Sequence, residues 1–335
     1  MHISDKNPIK SNNNNIKRII RFLLQYIIAA TLLIYIFKQI PLSSIIEALR
    51  QVNSNLLCAA LLISILVHPV FADRLRRLAK TQEIFLTNLK IIEINFACLF
   101  YGLFLPGGNF TGNVIRLYKL SGTERRFTGA GVIILLDRMI ATITLCITGI
   151  ICFLIDRSSK SIWILKLMIS VMSLLLFIIG LLYVGIRWLR LRIFNKILNW
   201  LIFDKIITIK TALKRIQNLS KGIILMACGL SFFAQLLGIL AYFLIMLAIG
   251  IHIEFVTIAW IRSGIILATM IPISISGLGI REGAAYVLMN RYGIIAKESI
   301  AFSFIIFLTT ILIPGLLGGL WEIGRFLKFK FIEHQ

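Results

Sequence analysis

Long apolar blocks alternate along this chain with short polar clusters, and the blocks at residues 22–37, 56–71, 127–155, 162–186, 222–249 and 294–320 have helical length. About 20 apolar residues carry an α-helix across the bilayer hydrocarbon, so the pattern predicts about six membrane spans. Two further apolar regions, 84–105 and 255–290, do not read as plain spans. In the second, Pro272 removes a backbone donor and Gly277, Gly279 and Gly283 loosen the chain just where Arg281 and Glu282 bring in charge. One helix over that whole region is therefore not expected. In the first, Glu93 interrupts the run, and Pro106, Gly107, Gly108 and Gly112 follow it, with Arg116 beyond. Irregular backbone at membrane depth survives only where protein buries it or water reaches it, so both breaks are expected to line a cavity.

Charge sets the topology, because basic residues gather on cytoplasmic loops. Lys6, Lys10, Lys17, Arg18 and Arg21 place the N-terminus inside, and Arg74, Arg76, Arg77 and Lys80 read as an inner loop after the second span. Residues 187–221 hold nine basic residues and one acid, Asp204, which marks a basic amphipathic connection on the cytoplasmic face. With Arg325, Lys328 and Lys330 also inside, parity is kept only if the two broken regions are hairpins. The first then enters from the cytoplasm and the second from outside. Span, hairpin, span in the first half is thus repeated upside down in the second. Pro106 precedes Arg116 by ten residues and Pro272 precedes Arg281 by nine. The expected fold class is all-α: a polytopic membrane protein of about six spans plus two opposed re-entrant broken-helix hairpins that form an inverted repeat. That architecture exposes one site alternately to each side of the membrane.

Composition agrees and narrows the function. The 335 residues are 59% hydrophobic and 15% charged, with a mean hydropathy of +0.92, too little charge to cover a soluble domain of this size. The 36 basic and 14 acidic residues give +22, but the basic ones sit beside apolar spans, as on anionic lipid, so nucleic acid is not the expected partner. Cys58, Cys98, Cys146, Cys152 and Cys228 are odd in number and form no CxxC, which favours free thiols. His2, His68, His252 and His334 are scattered, with no metal-ligand spacing. There is no Walker motif, and no metal or cofactor is expected. The polar segment 1–18 is expected to be a disordered cytoplasmic N-terminus.

Each break is followed by a half-helix, from Asn113 and from Ile280, whose first turn offers unpaired N–H groups and the positive end of a dipole. An arginine there, Arg116 or Arg281, is unfavourable for the helix alone and makes sense beside an anion, of which lipid phosphate is the most available. The competing reading pairs these arginines with Glu93, Asp137 or Glu282, or lets them snorkel to the interface. Asp137 and Arg138 point about 100° apart on a helix, so at most one faces a given cavity. Arg262 has no assigned partner, and Trp321 with Glu322 reads as an interfacial anchor. The candidate site is therefore Arg281, Glu282, Arg116, Asp137, Arg138 and Glu93. Pro272, Gly277, Gly279, Gly283, Pro106, Gly107, Gly108 and Gly112 are its breaks and gates.

The run Pro272-x-x-x-x-Gly277-Leu-Gly279-Ile-Arg281-Glu282-Gly283 resembles the hallmark of the lysylphosphatidylglycerol synthase transmembrane-region family, also described as flippase-like membrane proteins. Leu105-Pro106-Gly107 with Arg116 downstream, Leu136-Asp137-Arg138 and Pro314-Gly-Leu-Leu-Gly-Gly319 support it. The resemblance implies one flippase-like transmembrane domain over 19–330, in the cytoplasmic membrane with both termini inside. It also implies partners that are anionic membrane lipids or lipid-linked sugars. Family members include the membrane half of bifunctional proteins that make aminoacylated phosphatidylglycerol and move it to the outer leaflet. No soluble synthase domain follows Leu320 here, so this chain is expected to be a translocase of a phospholipid or polyprenyl-linked glycolipid and not the aminoacyl transferase. The rival expectation is a membrane glycosyltransferase or accessory protein of envelope lipid synthesis. Such an enzyme needs a carboxylate base or a metal-binding acidic pair, and the sequence has no DxD.

Overall fold

The computed structural model describes residues 52–105, 108–122, 126–156, 220–270 and 277–332, together with Lys166 and Ile169. The expected spans at 22–37 and 162–186, the N-terminal segment, nearly all of the 187–221 connection, Pro106, Gly107 and Pro272 lie outside the described residues. Those described are helical, with no strand: α1 (Ser54–Lys80), α2 (Asn88–Phe104), α3 (Asn109–Ser121), α4 (Phe127–Ile155), α5 (Lys221–Ala248), α6 (Phe255–Thr269), α7 (Ile280–Met289), α8 (Ala296–Phe307) and α9 (Ile313–Ile332). A 3-10 turn at Asn290–Tyr292 follows α7, and a π-helical turn at Leu308–Leu312 joins α8 to α9.

Local chemistry fixes the helix ends. Asn53 caps α1, its Oδ1 accepting from the N–H groups of Asn55 and Leu56 at 3.1 and 3.3 Å, and the Thr87 hydroxyl accepts from Lys90 N–H at the start of α2. Leu105 leaves α2 in an extended conformation, as a residue before proline must, because the Pro106 ring clashes with the α conformation of its predecessor. The helices that follow the two breaks both open on a glycine with positive φ, Gly108 at 52° and Gly279 at 82°, a conformation that a side chain would strain. The π-helical turn also has a local cause. Pro314 cannot donate to the carbonyl four residues back and its ring crowds that carbonyl, so the preceding turn opens by one residue.

Among the described residues, four stretches are long and apolar enough to cross a membrane: Ser54–Lys80, Phe127–Ile155, Lys221–Ala248 and Ala296–Gly324. Their outer flanks keep large apolar side chains bare, among them Leu62, Leu66, Leu154, Leu225, Phe233 and Leu320, as a lipid-facing surface does. The second span differs from expectation. Helix α1 continues to Lys80, so Arg74, Arg76, Arg77 and Lys80 form its last turns and not a loop. Arg76 and Arg77 both bind Asp73, which lets the helix carry its basic end past the apolar block.

Helices α2 and α3 pack as one pair and α6 and α7 as another. Each pair lies against a long helix of the opposite half, α2 on α9 and α6 on α4, while α1 packs on α5. The last contact is antiparallel, because Asn53 N–H at the start of α1 donates to Ala248 O at the end of α5. One core gathers Trp260, Phe302, Tyr242, Met246 and Met289 toward this end of the bundle. A second gathers Leu75, Leu78, Ile91, Leu120 and Ile133 toward the basic end. Between them, halfway along the long helices, lies a layer of buried polar groups that includes Ser64, His68, Asp137, Ser231, Gln235 and Thr309.

Candidate functional site

Helix α6 is the axis of the site. Its ten buried residues include Thr257, Trp260, Arg262 and Ser263, and its 15 residues reach about 22 Å at ~1.5 Å each, short of the ~30 Å hydrocarbon. Helix α7 is shorter still, at 10 residues. The two legs start and finish at one end of the bundle, where buried Asp156 holds both. Its Oδ2 accepts from Thr257 Oγ1 and Trp260 Nε1 on α6, at 2.9 and 2.7 Å, and from Tyr292 OH just beyond α7, at 2.7 Å. Asp156 lies just past the apolar block 127–155, and the structure makes it, at the C-terminal end of α4, the clasp of this pair. Asp156→Ala should cost about 2 kcal/mol or more, as charge-assisted bonds to a buried acceptor do. A lower melting temperature, with faster amide exchange in α6 and α7 than in α1, checks this.

A cavity of about 210 Å³ opens where α1, α5, α6, α7 and the π-helical turn converge, in the polar layer. Arg281 from α7 and Arg262 from α6 line it, with His68, Ser64, Tyr242 and Thr310. Arg281 is 4% exposed, with its guanidinium over the Phe307 ring at 5.4 Å. Glu282, its neighbour, does structural work: Oε2 accepts from Gly279 N–H at 2.6 Å, and Oε1 accepts from Ser303 Oγ at 3.2 Å. This carboxylate fastens the start of α7, where a negative charge also suits the helix dipole. Gly277, at φ 77°, lies beside the Arg281 guanidinium, whereas Gly283 faces open space.

The other site residues are elsewhere. Asp137 pairs with Arg74, Oδ1 to Nε at 2.7 Å, and Arg74 Nη1 donates to Ser231 Oγ at 2.7 Å. The pair is buried and ties α4, α1 and α5 together. Arg138, on the next face, is exposed and reaches Asn113 Oδ1 at 3.3 Å. Glu93 is held by Lys90 one turn earlier, at 2.8 Å. Arg116 sits on α3, outside the cavity lining, and Gly112 lets α3 approach α2, since a Cβ there would stand 2.7 Å from Cys98 O. Glu322 is paired with Lys119, so α9 is bound to α3 near the basic end, while Trp321 is the exposed one of the two. Hence the structure brings Arg281 and Glu282 together but separates them from Arg116, Asp137, Arg138 and Glu93. It adds Arg262, which the sequence left without a role although its place inside an apolar run was the available signal.

Bare apolar flanks around a charged interior define a helical membrane protein that crosses the bilayer several times. The family model described as the lysylphosphatidylglycerol synthase TM region matches residues 22–318, and the chain belongs to that family. No curated protein matches it.

Proposed function

We propose that this chain is a translocase of the flippase kind, moving a phospholipid or polyprenyl-linked glycolipid across the cytoplasmic membrane with both termini inside. The observation that carries the reading is the half-buried cavity halfway along the long helices, lined by Arg281 at the start of a short helix that cannot itself span. Several features support an inverted repeat behind it. Both second legs begin on a positive-φ glycine, each pair packs on the other half's long helix, and α1 and α5, which precede the two pairs, meet antiparallel. Basic residues at one end, Arg76, Arg77, Lys80, Lys119 and Lys221, favour a cytoplasmic orientation for that end. In this reading α2 with α3 and α6 with α7 are re-entrant hairpins from opposite faces, joined by spans at 22–37 and 162–186 to make six crossings.

The acids weigh against the glycosyltransferase alternative. Asp137, Glu282, Glu93 and Asp156 all hold structure, and no carboxylate lines the cavity among the described residues. The test is a leaflet-resolved lipid assay in proteoliposomes, run alongside melting temperature. Arg281→Ala should cut transport about ten-fold or more while the fold is kept, because a charge-assisted headgroup contact is lost. Arg281→Lys keeps the charge without the fork and should fall between. Wild-type transport by Arg281→Ala would overturn the assignment.

A further inference from the structure

Arg138 is a charge at an awkward depth. It is the twelfth residue of α4, about 16 Å into a spanning helix at ~1.5 Å per residue, and it is exposed. A guanidinium bare at that depth must face water or a lipid headgroup, because hydrocarbon does not solvate it. Its hydrogen bond goes to Asn113 Oδ1 on α3, at 3.3 Å. Arg116 stands three residues beyond Asn113, on the same face of α3. Its Nε is buried with no acceptor, and its hydrogen-bond neighbour is the Cys98 thiol.

The carboxylate closest along the chain does not settle this charge. Arg138 feels the Arg116 guanidinium more strongly than any other group, Asp137 included, and Asp137 is already bound to Arg74 at 2.7 Å. Lys119, one turn further along α3, is matched by Glu322. With Asp137 held by Arg74, the seam where α3 packs on α4 presents two cations whose hydrogen-bond partners, Asn113 and Cys98, are neutral. Guanidinium groups that repel each other are kept together where an anion comes between them.

The repeat supplies an independent pointer to the same place. Arg138 and Phe307 are each the twelfth residue of their helices, α4 and α8, and Phe307 is the ring over which the Arg281 guanidinium lies. In each half, then, the seam between the second leg and the span after it carries an arginine. The leg α7 supplies it in one half, and the span α4 supplies it in the other.

We propose that the seam between α3 and α4 is a second anion station, where Arg138 and Arg116 take the phosphate of a membrane lipid that arrives sideways from the bilayer. Asn113 steadies the Arg138 fork, and Val114 and Leu135, exposed on the two helices, offer an apolar wall to an acyl chain. The inference rests on the translocase reading for its purpose, as the place where cargo first meets the protein, and binding there can be measured without transport.

The experiment takes the full chain in maltoside and reads melting temperature and bound lipid by native mass spectrometry. The probes are phosphatidylglycerol, glucosyl diacylglycerol, which lacks phosphate, and inorganic phosphate. Without lipid, Arg138→Gln should melt at or above the wild type, because it removes a charge that the protein does not balance. Melting well below the wild type would show that the protein does balance it, and would overturn the inference. Phosphatidylglycerol should raise the wild type more than the variant and bind it about ten-fold more tightly, the scale of one charge-assisted contact. Arg138→Lys should recover part of this, and the difference should persist in an Arg281→Ala background, where the cavity contributes less. A response to inorganic phosphate as well assigns the station to phosphate of either source, and a response to phosphatidylglycerol alone assigns it to the lipid-borne group; both support it. Equal responses of wild type and Arg138→Gln overturn it, as do equal responses of the wild type to the two lipids. A photo-reactive benzoylphenylalanine in place of Leu135, one turn before Arg138, fixes the location: it should capture phosphatidylglycerol about ten-fold over the glucolipid, and equal capture overturns the proposal. Leaflet assays separate the two ideas. Arg138-dependent binding without movement of any lipid removes translocation and leaves the station, while movement with binding indifferent to Arg138→Gln removes the station and leaves translocation.

Discussion

Gly318→Leu should yield no folded protein. Helix α9 meets α2 through Gly315, Gly318 and Gly319, and the wall it meets is backbone: a Cβ on Gly318 would collide with the carbonyl oxygen of Phe96 and lie 3.0 Å from Ala97 N. Between membrane helices lipid is as apolar as any side chain, so close backbone approach over small residues supplies much of the attraction. A flexible side chain can swing aside, but a carbonyl fixed in a helix cannot. The cost therefore exceeds the ~1–3 kcal/mol usual for overpacking. Gly324 has open space beside it, so Gly324→Leu is the matched control and should accumulate normally. Size-exclusion profiles of the two variants in detergent decide the matter. A monodisperse Gly318→Leu protein would mean that α9 does not approach α2 as described.

The second large effect is at Asp137. Its carboxylate neutralises Arg74, and the two side chains are 4% and 5% exposed. Removing one partner of a buried pair leaves the other as an uncompensated charge, worth about 3–5 kcal/mol. Asp137→Ala should lower the melting temperature sharply, and the double change Asp137→Leu with Arg74→Met should recover most of the loss, since an apolar pair needs no balancing. Stable Asp137→Ala protein with impaired transport would return Asp137 to the cargo site.

Much of the architecture is readable from pattern because membrane spans are long, uniform and punctuated. The blocks at 127–155 and 222–249 correspond closely to α4 and α5, and the proline–glycine clusters fall where α2 and α6 stop. The misplaced feature is the basic end of α1. Hydropathy cannot tell a loop from a helix whose arginines are satisfied by Asp73 and Asp137, because that satisfaction comes from local spacing in one case and from a partner 63 positions away in the other. The site shows the same divide. Arg281 stood out because it follows a break, whereas Arg262 sits inside an unbroken apolar helix and has a role only once α5 brings Gln235, Gly238 and Tyr242 against it. Asp156 likewise gains its three donors from segments 101 to 136 residues away. Pairing of that kind is a property of the assembled bundle, and nothing in the spacing of one helix announces it.

The wide turn at Leu308–Leu312 gives the last crossing two addresses. An extra residue in one turn rotates everything after it by about 100° relative to a continuous helix. Before the turn, α8 presents Ser299, Phe302 and Ser303 to the helices around α7; after it, α9 presents Gly315, Gly318 and Gly319 to α2. A regular helix has a single buried stripe and could serve only one of these neighbours along its length. By changing face at one turn, the chain lets a single rod pack against both helix pairs, as α4 also does through α3 and α6. Thr310, on that turn, also borders the cavity. The turn that carries the rotation is therefore next to that space.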